Sequence, residues 1–90
     1  MIDEIDLLEL VRRGHEAKAF QDSAPYKDSI TQAVTNIVAA FLGADLADEQ
    51  VLELRRQYIS LQAIDNQLSG DVDDGIIAQE ELDERTRRTK

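Results

Sequence analysis

Apolar residues in this chain recur every three or four positions, the period of one face of an α-helix, and four glycines and one proline divide the pattern into long segments. Over residues 3–21, Leu7, Leu10, Val11, Gly14 and Ala17 share a face. Asp3, Glu4, Asp6 and Glu9 crowd the start of this segment and Arg12, Arg13 and Lys18 follow, the order that a helix dipole favours. Glycine is worth about 1 kcal/mol less than alanine inside a helix, so Gly14 predicts either a close neighbouring backbone or a bend.

A second helix is expected over residues 24–42. Asp22 or Ser23 caps it, Pro25 sits in its first turn, and Tyr26, Ile30, Ala33, Val34, Ile37, Val38 and Phe41 form its stripe. Its β-branched residues raise a strand alternative. A period of two, however, would place Gln32, Asn36 and Ala40 on the same side as Ile30, Val34 and Val38. Gly43 follows as the expected left-handed terminator.

A third helix is expected over residues 46–69, with Asp45 as its cap and Asp48 and Glu49 in its first turn. Val51, Leu54, Tyr58, Leu61, Ile64 and Leu68 make one face, and Leu52 and Ile59 widen it. Ser69 and Gly70 are expected to close it. An acidic turn over residues 71–75 then leads to a short helix over 76–88, braced by the pairs Glu81–Arg85, Asp83–Arg87 and Glu84–Arg88. The expected fold is all-α. An antiparallel helical hairpin (24–42 and 46–69) forms its centre, flanked by an N-terminal helix and a short C-terminal helix, in a single domain (1–90) whose last few residues fray.

Composition narrows the function classes. With 42% hydrophobic and 32% charged residues in 90, the chain is apolar enough to fold as one small domain. Its net charge of −9 repels phosphate backbones, so direct nucleic-acid binding is not expected. No run of 18 apolar residues is present, and the opening Met1-Ile2-Asp3-Glu4 is acidic where a signal peptide is basic; the expected location is the cytoplasm. Without cysteine and with one histidine, thiol catalysis and Cys-based zinc sites are excluded and His-ligand metal sites disfavoured, so neither a cofactor nor a catalytic site is expected.

Four features invite a functional reading. Residues 71–81 resemble a calcium loop, but setting Gly75 at the sixth loop position puts Gly70 first and Val72 third. Setting Asp71 first puts Ile76 where the glycine belongs and Leu82 where the bidentate glutamate belongs. His15 has no partner in any catalytic spacing and reads as a polar-face residue. Asp71, Asp73, Asp74, Glu80, Glu81 and Asp83 form a candidate acidic surface, offset by Arg85, Arg87, Arg88 and Lys90, that suits either solvation or mimicry of a nucleic acid. Leu52, Ile59, Ile76 and Ile77 are apolar residues that the hairpin does not use, and they form a candidate interaction surface for a second copy or another protein.

The run Arg13-Gly14-His15-Glu16-Ala17-Lys18-Ala19-Phe20-Gln21-Asp22-Ser23 precedes Tyr26 and an amphipathic helix, with Leu61-Gln62-Ala63-Ile64, Gly75 and Leu82 beyond. This arrangement resembles small helical-hairpin proteins of tailed bacteriophages encoded among head and packaging genes. Gln21 stands where that pattern has a hydrophobic residue. The resemblance implies a non-enzymatic accessory or minor virion protein that contacts phage structural or packaging proteins, in the host cytoplasm or the virion. The acidic surface supports an alternative, an inhibitor that binds a basic host or phage protein.

Overall fold

Ser23 divides the first half of the chain. Its extended backbone interrupts the helix, its hydroxyl donates to the Phe20 carbonyl at 2.6 Å, and its oxygen accepts from the Tyr26 N–H at 3.4 Å. One side chain thus closes α1 (Glu4–Asp22) and caps α2 (Ala24–Leu42), and Pro25 lies in the first turn of α2, where its missing N–H costs nothing. The computed structural model describes residues 2–43 and 45–89; Met1, Ala44 and Lys90, the last of the bases set against the acidic surface, lie outside them.

The remainder is one helix, α3 (Asp48–Arg88), 41 residues and about 60 Å long. The described residues are all-helical apart from the junctions, with no strand among them. The expected break at Ser69-Gly70, the acidic turn and the separate short C-terminal helix are corrected: residues 69–76 are helical throughout, and neither Gly70 nor Gly75 adopts a positive φ. Leu54, Leu61, Leu68, Gly75 and Leu82 follow one another at intervals of seven, so an unbroken helix keeps a single stripe against the returning limb. A turn would destroy that register. Two further details differ. Ala47, not Asp45, is the N-cap, with its N–H bonded to the Gln50 side chain at 2.9 Å, and Gly43 has a right-handed backbone (φ −90°).

α3 is the spine along which the limb α1–α2 runs antiparallel, α1 beside its C-terminal half and α2 beside residues 48–68. The molecule measures 67 × 27 × 15 Å, so it is a ribbon one helix thick. The expected centre is also corrected, because the core lies between α1 and α3 rather than between α2 and α3. Leu7, Val11 and Ala78 form it, with Leu10 and Leu82 packed against them, while Ile37 is the only buried residue of α2.

In that core two glycines meet backbone to backbone. A Cβ on Gly14 would sit 2.9 Å from the Gly75 Cα and 3.0 Å from the Asp71 carbonyl oxygen; one on Gly75 would sit 2.9 Å from the Gly14 Cα. Of the two outcomes that Gly14 predicts, the close backbone is the one observed. Ala17 and Ala78 continue the small-residue seam, which lets the helix axes approach more closely than larger side chains permit. By contrast, Gly70 has nothing within 4 Å of an added Cβ.

Candidate interaction surfaces

A ribbon one helix thick leaves much of every helix uncovered. Among the described residues fourteen large hydrophobic side chains are exposed, whereas Leu7, Val11 and Ile37 are the large ones that are buried, so the seam satisfies only a fraction of the apolar surface. The candidate residues Leu52, Ile59, Ile76 and Ile77 are all exposed, but the structure does not bring them together. Leu52 and Ile59, seven apart, lie on the side of α3 turned away from α2, whereas Ile76 and Ile77 flank the glycine contact on opposite faces of the ribbon.

Ile77 opens onto a groove of 590 Å³ floored by Ile2, Leu7, Leu10 and Ala78 and rimmed by Asp74, Glu81 and Arg85. Arg85 is held there, donating to the Ile2 carbonyl at 2.7 Å and to Glu81 at 3.0 Å. Ile76 lies in a smaller groove of 320 Å³ beside His15, Lys18 and Glu80. Sequence reasoning missed Ile2, Leu10 and Arg85 as groove residues, because the groove exists only once α3 continues past residue 75 and returns to the chain start. The 83-residue contact between Arg85 and Ile2 has no local signal.

The acidic residues are spread around a helix rather than gathered in a loop. Asp71 is turned toward α1, lining a groove with Arg12, Arg13 and Glu16 and accepting from Gln67 at 3.2 Å. Glu81 pairs with Arg85 at 3.0 Å and Glu84 with Arg88 at 3.6 Å, as their spacing predicts. The expected Asp83–Arg87 pair is corrected. Arg87 reaches Glu84 at 2.8 Å and Asp83 accepts from Gln79 at 2.9 Å. Asp73, Asp74 and Glu80 have no ion pair among the described residues, and Asp71 and Asp83 accept from neutral amides alone, so these five make up the unneutralised part of the surface. Continuous helix through residues 71–81 removes the calcium-loop geometry, since helical carboxylates at these positions diverge around the axis. No cluster of three or more metal-ligating side chains occurs among the described residues. None of their helices is long and apolar enough to cross a membrane.

Polar contacts fasten the α1–α2 junction to α3. Tyr26 donates its hydroxyl to Asp65 at 2.9 Å, Gln21 donates to Ser69 at 3.1 Å, and the Phe20 and Tyr26 rings pack with centroids 4.8 Å apart. Partial burial, reinforced by the hydrogen bond and negative charge of Asp65, raises the Tyr26 pKa above its ordinary 10.0. A raised pKa means that the fold favours the protonated phenol. Its contribution is therefore present below the ordinary tyrosine value and is lost as pH rises through the higher folded one. In a Tyr58→Phe chain, where Tyr26 is the only tyrosine, phenolate absorbance titrates above pH 10, and Asp65→Asn moves it back toward 10. Titration at the ordinary value with Asp65 intact would show that the clasp does not form.

Elsewhere on α1, Arg12 bridges Glu9 and Glu16, and its hydrogen bond lowers the Glu9 pKa despite the opposing effect of partial desolvation. Such exposed pairs contribute little to stability and serve mainly to keep the outer face wet. No family model matches this chain, and no curated protein or solved structure shows significant similarity to it.

Proposed function

We propose that this chain is a non-enzymatic protein-interaction module, a small bacteriophage accessory that acts in virion assembly or as a minor virion component. The observation that supports an interaction role is the excess of exposed over buried large apolar residues on a thin ribbon. The phage setting rests on the residue pattern around Arg13–Ser23, and it places the protein in the host cytoplasm or the virion. The surface assigned to the protein partner is the groove of Ile2, Leu10, Ile77 and Arg85, where an apolar floor inside a polar rim suits a helix or loop carrying an apolar anchor. This reading needs no cofactor and no direct nucleic-acid contact.

The unpaired Asp73, Asp74 and Glu80 favour a second reading, an acidic inhibitor that occupies the basic groove of a host or phage protein. Salt separates the two, because at 0.5 M the screening length falls to ~4 Å and exposed charge contacts weaken while apolar ones persist. A tagged chain is incubated with lysate of its native cell, washed at 0.1 M or 0.5 M salt, and the retained proteins are identified by mass spectrometry. Capsid, portal or packaging proteins retained at 0.5 M, and lost with Ile77→Glu, are the expected result. Retention of a basic nucleic-acid enzyme at low salt only, abolished by Asp73→Asn with Asp74→Asn, would establish the inhibitor instead.

A further inference from the structure

The arm formed by α2 and residues 48–68 of α3 is where the fold is least complete. Residues 29–43 contain no charged side chain, although water reaches this helix on most of its circumference and only Ile37 is buried. A helix without charges on any side is ordinarily one that is covered.

Helical spacing sorts the arm into two unlike faces. On one, Asn36 and Ala40 of α2 stand across a groove from Glu53, Arg56, Gln57 and Ser60 of α3, a surface suited to solvent. On the other, Val38, Phe41 and Leu42 of α2 lie beside Val51 and Tyr58 of α3, and all five are exposed, Leu42 by 82%. The whole chain exposes 6902 Å², about 1,600 Å² more than a compact monomer of its mass is expected to expose. A standard interface removes about 800 Å² from each partner, so a face-to-face contact of the arm accounts for roughly half of that excess.

We propose that the chain forms a two-fold dimer in which the face of Val38, Phe41, Leu42, Val51 and Tyr58 packs against the same face of a second copy, making a four-helix bundle from the two arms. Charge identifies the occupant. A chain of net charge −9 repels its own copies over most of its surface, and the charge-free flank of α2 is where that repulsion is weakest. The same flank offers a basic partner no carboxylates. In an isologous contact, apolar residues meet their own equivalents, so one face suffices and no second complementary patch is required. The α1–α3 halves then project from the bundle and leave the groove at Ile77 accessible. The dimer is independent of the function proposed above, since the two surfaces lie at opposite ends of the ribbon.

Sedimentation velocity of the unmodified chain from ~1 to ~100 μM tests this directly, with the one-interface size class as the guide to affinity. The expected result is a species of twice the 10.1 kDa chain mass. A 10.1 kDa species at every concentration overturns the proposal. Val38→Glu is expected to give a helical monomer and Ile77→Glu to remain dimeric; a dimer lost with Ile77→Glu but kept with Val38→Glu places the contact at the wrong end and overturns it. The chain has no cysteine, so a nitroxide at Thr31→Cys or Asn36→Cys gives a readout that does not depend on disrupting the interface. Spin–spin distances between copies are expected to be shorter from Thr31, on the apolar flank, than from Asn36; the reverse order overturns the face assignment.

Discussion

A Gly75→Leu variant unfolds at least ~10 °C below the unmodified chain, the fall expected when a domain of this size loses about 3 kcal/mol. The first atom of the new side chain already meets the Gly14 backbone, at 2.9 Å from its Cα and 3.1 Å from the Leu10 carbonyl oxygen. These are main-chain atoms of a helix, so no side chain can rotate aside and α1 must move away from α3. That separation opens the seam around Leu7, Val11 and Ala78 and places the effect at or above the upper end of the usual overpacking range of about 1–3 kcal/mol. Gly75→Ala follows the same path with a smaller loss, reduced by the ~1 kcal/mol that alanine contributes as the better helix former.

Gly70→Ala supplies the contrast that isolates the cause. Its Cβ meets nothing within 4 Å, its backbone is helical, and only the propensity gain of ~1 kcal/mol remains, so its melting temperature rises by roughly 5 °C. Thermal unfolding followed by circular dichroism at one fixed protein concentration reads all three, since stability coupled to self-association depends on concentration. Equal stabilisation by alanine at positions 70 and 75 would mean that the two helices do not meet at Gly14 and Gly75.

Leu7→Ala lowers stability by about 2–5 kcal/mol, a large share of the ~5–15 kcal/mol that holds a small domain folded. Leu7 is 3% exposed and contributes the largest side chain of a three-residue buried cluster. With so few neighbours, the seam has no second layer to relax into the space left by the lost isobutyl group. Leu8, one position on and 53% exposed, provides the control: Leu8→Ala stays within about 0.5 kcal/mol, the range of ordinary surface changes. Urea unfolding midpoints at constant protein concentration compare the two variants, and a larger loss at position 8 would reverse the assigned faces of α1. Since α2 buries only Ile37, the loss from Leu7→Ala is expected to reach the whole ribbon through α1 and α3.

The candidate sites were legible in the chain as residue types but not as surfaces. Ile76 and Ile77 are neighbours in sequence and exposed in the fold, yet the helix rotates them about 100° apart, onto opposite faces. The acids from Asp71 to Asp83 read as a cluster only while residues 71–75 are taken for a turn; on a helix they diverge, and Asp71 faces the bases of α1. The grooves depend on where distant helices meet, for which spacing along one helix carries no information.

Local periodicity by itself determined the all-helical class, the face of α1 that is buried and the place of Pro25 in the first turn of α2; it left the cap open between Asp22 and Ser23, and of the stripe it drew on α2 the fold buries Ile37 and exposes Val38 and Phe41. What it determined depends on interactions within a few residues: capping, spacing of apolar side chains, and a period that separates helix from strand. Only the tertiary structure decided what happens at Gly70 and Gly75. Locally, two glycines among aspartates favour a turn. The apolar repeat at seven-residue intervals and the contact of Gly75 with Gly14, 61 positions earlier in the chain, repay the helix cost there, convert two expected helices into one spine, and move the core from α2 to α1.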